Sequence, residues 1–195
     1  MALFQGRRDP ANNRIPPGQH QVYDWPVLSY GPTPRIETKD WQLNVDGLVE
    51  TPLTFSWDEL LSLPQAEWKT DIHCVTRWSK LDTVWQGVWL DDILAASGIK
   101  PEAKFLLAGC YGGYTTNLPL DEVLGQQAMI AHTFDGKPLP VEHGGPARLL
   151  VPHLYFWKSA KWVNRLTLLE DNEPGFWEVN GYHMHGDPWR EERYS

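Results

Sequence analysis

The chain has 195 residues, of which 42% are hydrophobic and 22% are charged, so it can form one globular domain with a buried core. A formal net charge of -8, without a basic stripe, argues against a nucleic-acid-binding protein. Two cysteines are too few for a disulfide scaffold. The first residues do not resemble an export signal, and no apolar run is long enough to span a membrane. We therefore predict a cytoplasmic location.

Along the chain, strand-like patterns outnumber short helical ones. Residues 1–35 are rich in proline, glycine and arginine, which predicts an extended arm packed on a single domain formed by residues 36–195. Strands are predicted at residues 41–49, 67–74, 85–90, 104–108, 128–134, 148–151 and 162–169, with a turn at 135–136. Short helices are predicted after a capping box at 56–59, at 91–97 before Gly98, and from residue 119. The predicted fold class is α+β, dominated by sheet.

Cys74 has the most distinctive surroundings of any residue in the sequence. It ends a predicted strand, and the positive charge of His73, Arg77 and Lys80 is expected to lower the pKa of its thiol. A thiolate attacks electrophiles or binds soft metals, whereas a buried structural thiol does neither. The flanking residues alone leave both interpretations open.

A second group of basic residues surrounds a glycine pair. Arg148 follows the His143-Gly-Gly motif, and Lys158 and Lys161 lie among small residues before the next predicted strand. Cations at the ends of neighbouring elements, beside backbone that a ligand can approach, suit a phosphate or another anion, although three solvated surface cations would give the same pattern. No zinc, nucleotide or haem motif is present. Eleven tryptophans can fill a core or line a pocket for a flat ligand.

The order of these motifs resembles the molybdopterin-binding domain of the sulfite oxidase family. Residues 25–34 resemble the family segment Phe-x-Val-Arg-Asn-His-x-Pro-x-Pro, residues 41–49 resemble the strand ending in Val-Asp-Gly-Leu-Val, and residues 85–94 match Trp-x-Gly-x-x-Leu-x-x-x-Leu. Later family motifs follow in order at residues 135–140, 143–148, 151–152 and 158–162. The resemblance covers roughly residues 20–170. Within the family, the chain looks more like the short bacterial sulfite-oxidase-like proteins and is similar to the catalytic subunits of methionine-sulfoxide reductases.

The resemblance implies a fold, a cofactor and a reaction. The fold would be the family's sheet-rich molybdopterin domain, and Cys74 would ligate molybdenum. The implied cofactor-binding residues are Leu28, Ser29, Tyr30, Gly109, Cys110, His143, Arg148, Ser159, Ala160 and Lys161. The metal would cycle between Mo(VI) and Mo(IV) while oxygen moves to or from a small sulfoxide, N-oxide or sulfite. No haem is expected in the chain, so a separate electron carrier protein is implied.

Three positions depart from the family pattern and mark the substrate side of the expected site. Leu28 stands where sulfite oxidases have an anion-binding arginine, His132 stands where they have an active-site tyrosine, and this chain offers Arg77 where they have an asparagine after the ligand cysteine. His132 and Arg77 are therefore catalytic candidates beside Cys74. Two other functions stay open: a metal-free enzyme with Cys74 as nucleophile, and a non-catalytic module that stores or delivers molybdopterin.

Overall fold

The computed structural model describes residues 14–195, so the predicted arm over residues 1–35 lies partly outside the described residues. Between residues 14 and 35 the chain is irregular except for β1 (His20–Gln21), which pairs in parallel with residues 78–79. This pairing attaches the segment to the body of the protein. The division into an arm and one domain stays a prediction.

Strands and short helices alternate through the rest of the described chain. The further strands are β2 (Gln42–Gly47), β3 (Leu53–Ser56), β4 (Ala66–His73), β5 (Trp78–Trp89), β6 (Phe105–Cys110), β7 (Thr115–Pro119), β8 (Met129–Phe134), β9 (Lys137–Pro138), β10 (Arg148–Leu150) and β11 (Val163–Leu169). The α-helices are α1 (Trp57–Ser62), α2 (Leu90–Ser97) and α3 (Phe176–Val179), and single 3-10 turns span Thr38–Asp40, Leu120–Glu122 and Val141–His143. The predicted sheet-dominated α+β class is confirmed. Within residues 14–195, no helix is long and apolar enough to cross a bilayer.

The strands form two sheets. In the first, β1, β5, β8 and β10 follow one another, while β4 also pairs with β5 and β9 with β8. The second has the order β3-β2-β11-β6-β7. Only the β1–β5 and β2–β11 pairs of the described chain are parallel. Buried apolar side chains form two clusters. The first, which includes Trp85, draws its strand residues from the first sheet, and the second, which includes Trp41, contains residues from strands of both sheets. The first cluster includes Cys74.

Several local predictions are confirmed in detail. The Ser56 side chain accepts a hydrogen bond from the Glu59 amide, and the Glu59 carboxylate accepts one from the Ser56 amide, which completes the capping box of α1. α2 ends at Gly98, whose φ of 69° requires glycine-like freedom. Asp135 and Gly136 both have positive φ and connect β8 to β9 as a tight hairpin turn.

Other predictions were wrong in extent. β5 begins at Trp78, seven residues before the predicted start, because its polar first half pairs with β4. The short strands β3 and β7 were not predicted, since their stability comes from pairing with β2 and β6 and not from a strong local pattern. The helix predicted from residue 119 is one 3-10 turn, followed at Gly125 by a backbone with positive φ.

Candidate functional site

A cavity of about 340 Å³ lies where the β4–β5 turn, residues 25–30 and the β10–β11 connection meet. Its walls are largely aromatic. Five of the eleven tryptophans line it: Trp25, Trp78, Trp157, Trp162 and Trp177. A concave site of this size, with apolar walls and a few polar groups, is typical of sites for small molecules and cofactors.

Nine of the predicted site residues line this cavity. They are Leu28, Ser29, Tyr30, Cys74, His143, Arg148, Ser159, Ala160 and Lys161. They come from segments far apart in the sequence, so the fold brings the thiol and the basic group together. The two motifs that the sequence presented separately therefore form one site.

Cys74 occupies the turn between β4 and β5. Its amide donates to the Trp78 carbonyl at 2.8 Å, and its carbonyl accepts from the Arg77 amide at 3.0 Å. The Thr76 hydroxyl donates to Cys74 Sγ at 3.1 Å. Burial raises the pKa of the thiol, while Thr76, Arg193 and the more distant Lys161 act in the opposite direction. The chain without a ligand thus holds a buried thiol that a metal or cation would convert to thiolate.

The prediction that flanking residues lower the Cys74 pKa was wrong. His73 faces a separate shallow groove, its Nδ1 lies 2.8 Å from Ser79 Oγ, and burial lowers its pKa to about 4, so it is neutral at pH 7. Lys80 donates to the Tyr23 carbonyl. The Arg77 side chain is exposed on a turn residue with a φ of 76°. Neighbours in sequence point to different sides here, because successive strand residues alternate and the turn reverses the chain.

Arg148 lies beneath the cavity with 1% of its surface exposed. Its guanidinium donates to the carbonyls of His143, Leu149 and Ser159 and lies 4.1 Å from the centre of the Phe156 ring. Burial lowers its pKa to about 9, which leaves it charged at neutral pH. Arg148 therefore gives the cavity wall a positive charge, while its donors hold the surrounding backbone in place.

Lys161 is the second cation of the cavity. Its Nζ donates to the Leu28 carbonyl at 2.8 Å, Ser29 Oγ at 2.9 Å and the Glu142 carbonyl at 2.6 Å. These partners are neutral oxygens, so they leave the ammonium charge uncompensated. Burial and the charge of Arg148 lower the Lys161 pKa to about 7. An anionic ligand in the cavity would favour the charged form.

Two buried nitrogen atoms at the cavity have no hydrogen-bond partner among residues 14–195: His143 Nδ1 and Trp78 Nε1. The His143 ring stacks on Trp25 with centroids 3.6 Å apart and planes 9° apart. Burial and the neighbouring cations lower the His143 pKa to about 4, so the ring is neutral at pH 7. Leaving a buried polar group unpaired costs free energy, so these atoms indicate contacts that a ligand would complete.

Four predicted site residues do not line the cavity. His132 lies on β8, where its ring nitrogens contact Gln65 and Thr133. His132 is skipped at a register shift in the pairing of β8 with β5, and its ring contacts Gln65 instead of the cavity. Arg77 is directed into solvent, as described above. The structure thus does not bring either catalytic candidate of the substrate side to Cys74.

Gly109 and Cys110, at the end of β6, are the other two. A side chain at Gly109 would meet Arg165 on β11, so this residue faces away from the site. Cys110 is buried in the same core cluster as Trp41, and burial raises its pKa above that of an ordinary thiol. Both cysteines are free, and only Cys74 lines the cavity described here.

Lys158 was expected to join Arg148 and Lys161 around an anion, and this prediction was wrong. Its Nζ lies 2.6 Å from the Glu178 carboxylate, and both side chains are completely buried. Lys158 therefore forms an ion pair in the interior of the protein and does not line the cavity.

Several cavity residues were not found from the sequence. Trp25, Trp177 and Tyr182 form aromatic walls, and Tyr182 stacks on Trp177 at 4.9 Å. The tryptophan excess was the available signal, yet composition alone cannot separate wall positions from core positions. Gln19 and Arg193, which contact the Cys74 turn, carried no sequence motif at all.

The residues of the cavity fit a molybdopterin cofactor. Cys74 offers a soft sulfur ligand, Lys161 and Arg148 offer positive charge for a phosphate, and the flat aromatic walls suit a pterin ring. The absence of a side chain at Gly144 lets the backbone there approach Arg148 and Lys161 closely, because a Cβ at this position would lie 3.1 Å from Arg148 Cβ and from Lys161 Cα. The unpaired nitrogens of Trp78 and His143 are chemically suited to the polar edge of such a ligand.

Fold and site together define an oxidoreductase domain built to hold molybdopterin. A profile of the oxidoreductase molybdopterin-binding domain matches residues 30–177, and the chain belongs to this family, which includes sulfite oxidase. It is 47% identical over its whole length to "Uncharacterized oxidoreductase YuiH" of Bacillus subtilis, of which it covers 99%.

Two further comparisons extend to longer proteins. Over 78% of the chain, 30% of residues are identical to YedZ1 of Azospira oryzae, provisionally named a protein-methionine-sulfoxide reductase subunit; the match spans 58% of YedZ1. The sulfane dehydrogenase SoxCD of Paracoccus pantotrophus superposes with a TM-score of 0.67 and 28% identity, over 72% of this chain and 41% of that chain. The chain thus spans about half the length of these two proteins.

Proposed function

We propose that this domain moves an oxygen atom to or from a small neutral substrate at a molybdenum atom whose protein ligand is the Cys74 thiolate. The observation that carries the proposal is the placement of the Cys74 thiol in the same cavity as Lys161 and the unpaired His143 nitrogen. Bound molybdopterin would supply the metal and its two-electron chemistry. The protein would supply a sulfur ligand, orientation and charge.

The cationic side of the cavity supports cofactor binding. A phosphate beside Lys161 would keep its ammonium charged at neutral pH and replace neutral oxygens as partners. Arg148 would add charge from beneath while it holds the backbone of Ser159. Neutral His143 can donate or accept one hydrogen bond at Nδ1, according to the tautomer that the ligand selects.

The cavity favours a neutral oxide over an anion such as sulfite. An oxyanion substrate needs fixed donors of its own, but Lys161 would be occupied by the cofactor phosphate, the donors of Arg148 are directed to protein carbonyls, and Leu28 offers none. A sulfoxide or N-oxide needs one oxygen near the metal and apolar space for its substituents. Trp177 and Tyr182 provide such a wall. The likeness to YedZ1, with its provisional sulfoxide reductase name, supports a sulfoxide.

Substitution of Cys74 by alanine tests the proposal. Because the remaining cavity residues are unchanged, the variant should keep its fold and pterin but lose sulfoxide reduction with a chemical electron donor by about 100-fold or more. Cys110→Ala is the matched control, since this thiol does not line the cavity. Molybdenum and oxidised pterin are measured per mole of protein beside turnover. Wild-type turnover in Cys74→Ala would contradict the proposal.

The same experiment separates the two other candidate functions. A metal-free cysteine nucleophile predicts turnover in cofactor-free protein, but burial raises the Cys74 pKa and so opposes this role. A storage or delivery module predicts stoichiometric pterin with no turnover on any sulfoxide, N-oxide or sulfite.

The cytoplasmic location and the separate electron carrier remain part of the proposal. Fractionation of the native host would test the location, with the enzyme recovered in the cytoplasmic fraction. Reduction of the purified enzyme by a redox protein from the same fraction would test the carrier.

A further inference from the structure

Two side chains from opposite parts of the chain hold the turn that carries Cys74. Gln19 Nε2 donates to the Cys74 carbonyl at 3.0 Å, and the Arg193 guanidinium donates to the next carbonyl, that of Val75, at 2.6 Å. Both residues lie outside residues 30–177, which carry the family match. Adjacent carbonyls held from two directions leave the turn little freedom to rotate.

Arg193 makes the stronger of these two hydrogen bonds to the turn. It is 7% exposed, its guanidinium carbon lies 4.8 Å from the centre of the Tyr155 ring, and its second nitrogen reaches the Pro17 carbonyl at 3.4 Å. The nearest carboxylate contact is Glu191 at 3.9 Å, on an exposed side chain. A buried guanidinium without a close ion pair directs its strongest hydrogen bond at the Cys74 turn.

The segment that carries Arg193 is itself anchored to the body of the protein. Glu192, its neighbour, accepts from His185 Nδ1 at 2.8 Å and from the Asp187 amide at 3.0 Å. The other nitrogen of His185 lies 2.8 Å from Glu122, in the 3-10 turn Leu120–Glu122 that follows β7. These contacts fix the position from which Arg193 reaches Val75.

We propose that Arg193 is a positioning residue for Cys74, holding the Val75 carbonyl so that the thiol points into the cavity. The inference rests on the proposed function only for the role of that thiol as the molybdenum ligand. The hold on the turn itself is a property of the chain and can be measured without cofactor.

Hydrogen exchange in the full chain, purified without cofactor, tests the hold. The amides of Cys74 and Arg77 are hydrogen-bonded within the turn and report its opening. In Arg193→Met they should exchange about tenfold faster or more, because a charged hydrogen bond to the turn is lost. Amides of β11 should keep their wild-type rates. Arg193→Lys should restore part of the protection, since lysine can still donate to Val75.

Arg190→Met is the matched control on the same segment. Its side chain is 72% exposed and pairs with Asp187, so the turn amides should exchange as in wild type. Unchanged exchange at Cys74 and Arg77 in Arg193→Met, or faster exchange that extends equally to β11, would overturn the proposal. If the methionine variant does not fold, the lysine variant decides by the same criterion.

A second readout on loaded protein connects the turn to the metal. Arg193→Met should keep its pterin within about twofold of wild type, but its Mo(V) paramagnetic resonance spectrum should change, with partial rescue in Arg193→Lys. If the turn amides of Arg193→Met exchange faster but the Mo(V) spectrum is unchanged, the proposal that the turn sets the direction of the Cys74 thiol would be overturned. Molybdenum retained in Cys74→Ala with an unaltered spectrum would overturn the proposed ligand, and would leave the exchange result standing.

Discussion

Lys158 and Lys161 lie three residues apart on the β10–β11 connection, yet their surroundings differ completely. Lys158 Nζ is enclosed by the Glu178 carboxylate at 2.6 Å, both oxygens of Asn117 and the Met184 carbonyl at 2.7 Å. Lys161 Nζ has only neutral oxygens as partners and lines the cavity. One ammonium is paired with a carboxylate inside the protein, and the other has no carboxylate partner and lies beside a space for a ligand.

The difference shows how to separate a structural cation from a binding cation. Sequence places both lysines in one basic motif, although Lys158 is fully buried and Lys161 only partly so. The deciding feature is the presence of a buried carboxylate. A paired charge adds rigidity to its surroundings, whereas a charge with neutral partners stays available for an anion.

The largest expected effect follows from breaking the Lys158 pair. Lys158→Met leaves the Glu178 carboxylate buried without its cation, so the free energy of unfolding should fall by about 3–5 kcal/mol. Chemical denaturation of cofactor-free protein measures it. Lys104→Met, which breaks an exposed pair with Glu170, should cost less than about 1 kcal/mol. Equal losses in the two variants would remove the distinction drawn here.

Lys161→Met, in contrast to Lys158→Met, should weaken cofactor binding and leave the stability of the fold nearly unchanged. It removes a cation from the cavity, so pterin retained after dialysis should fall by about tenfold. The free energy of unfolding should change by less than about 1 kcal/mol, because a poorly compensated charge leaves together with its hydrogen bonds. Pterin fluorescence per mole of protein is the measurement, with Lys104→Met again as control. Full pterin content in Lys161→Met would show that Lys161 does not hold the cofactor.

A third effect is a dependence of stability on pH. The folded pKa of Lys161 is about 7, below its ordinary value of 10.5, so between these pH values the unfolded chain binds more protons. The contribution of Lys161 to the unfolding free energy therefore rises with pH from about 7 upward. Denaturation of cofactor-free protein at pH 7 and pH 9 should show wild type gaining stability relative to Lys161→Met. A relative loss with rising pH would mean that the Lys161 pKa is not lowered.

The sequence predicted the parts of this site that are local or follow from the order of motifs. The strand into Cys74 and the turn at residues 135–136 are confirmed. Cys74, His143, Arg148 and Lys161, which the order of motifs assigned to one site, line the same cavity. The electrostatics at Cys74 could not be predicted, because its cations, Arg193 and Lys161, are distant in sequence.

The substrate side was predicted less well for a related reason. His132 and Arg77 were chosen by alignment with motif positions, and only the sheet pairing and the turn geometry reveal that neither side chain reaches the cavity. The aromatic wall formed by Trp25, Trp177 and Tyr182 arises from three separate segments. No local pattern in any one segment specifies such a wall.

The tryptophans of the cavity have an optical consequence. Nearly half of the indoles in the protein border the cavity in which the absorbing ring system of a bound pterin would sit. Intrinsic emission should therefore drop steeply when the site fills and recover when it empties. Intrinsic tryptophan fluorescence therefore reports the occupancy of the cavity without an added dye. A single titration curve can show what fraction of the protein in a preparation holds the cofactor.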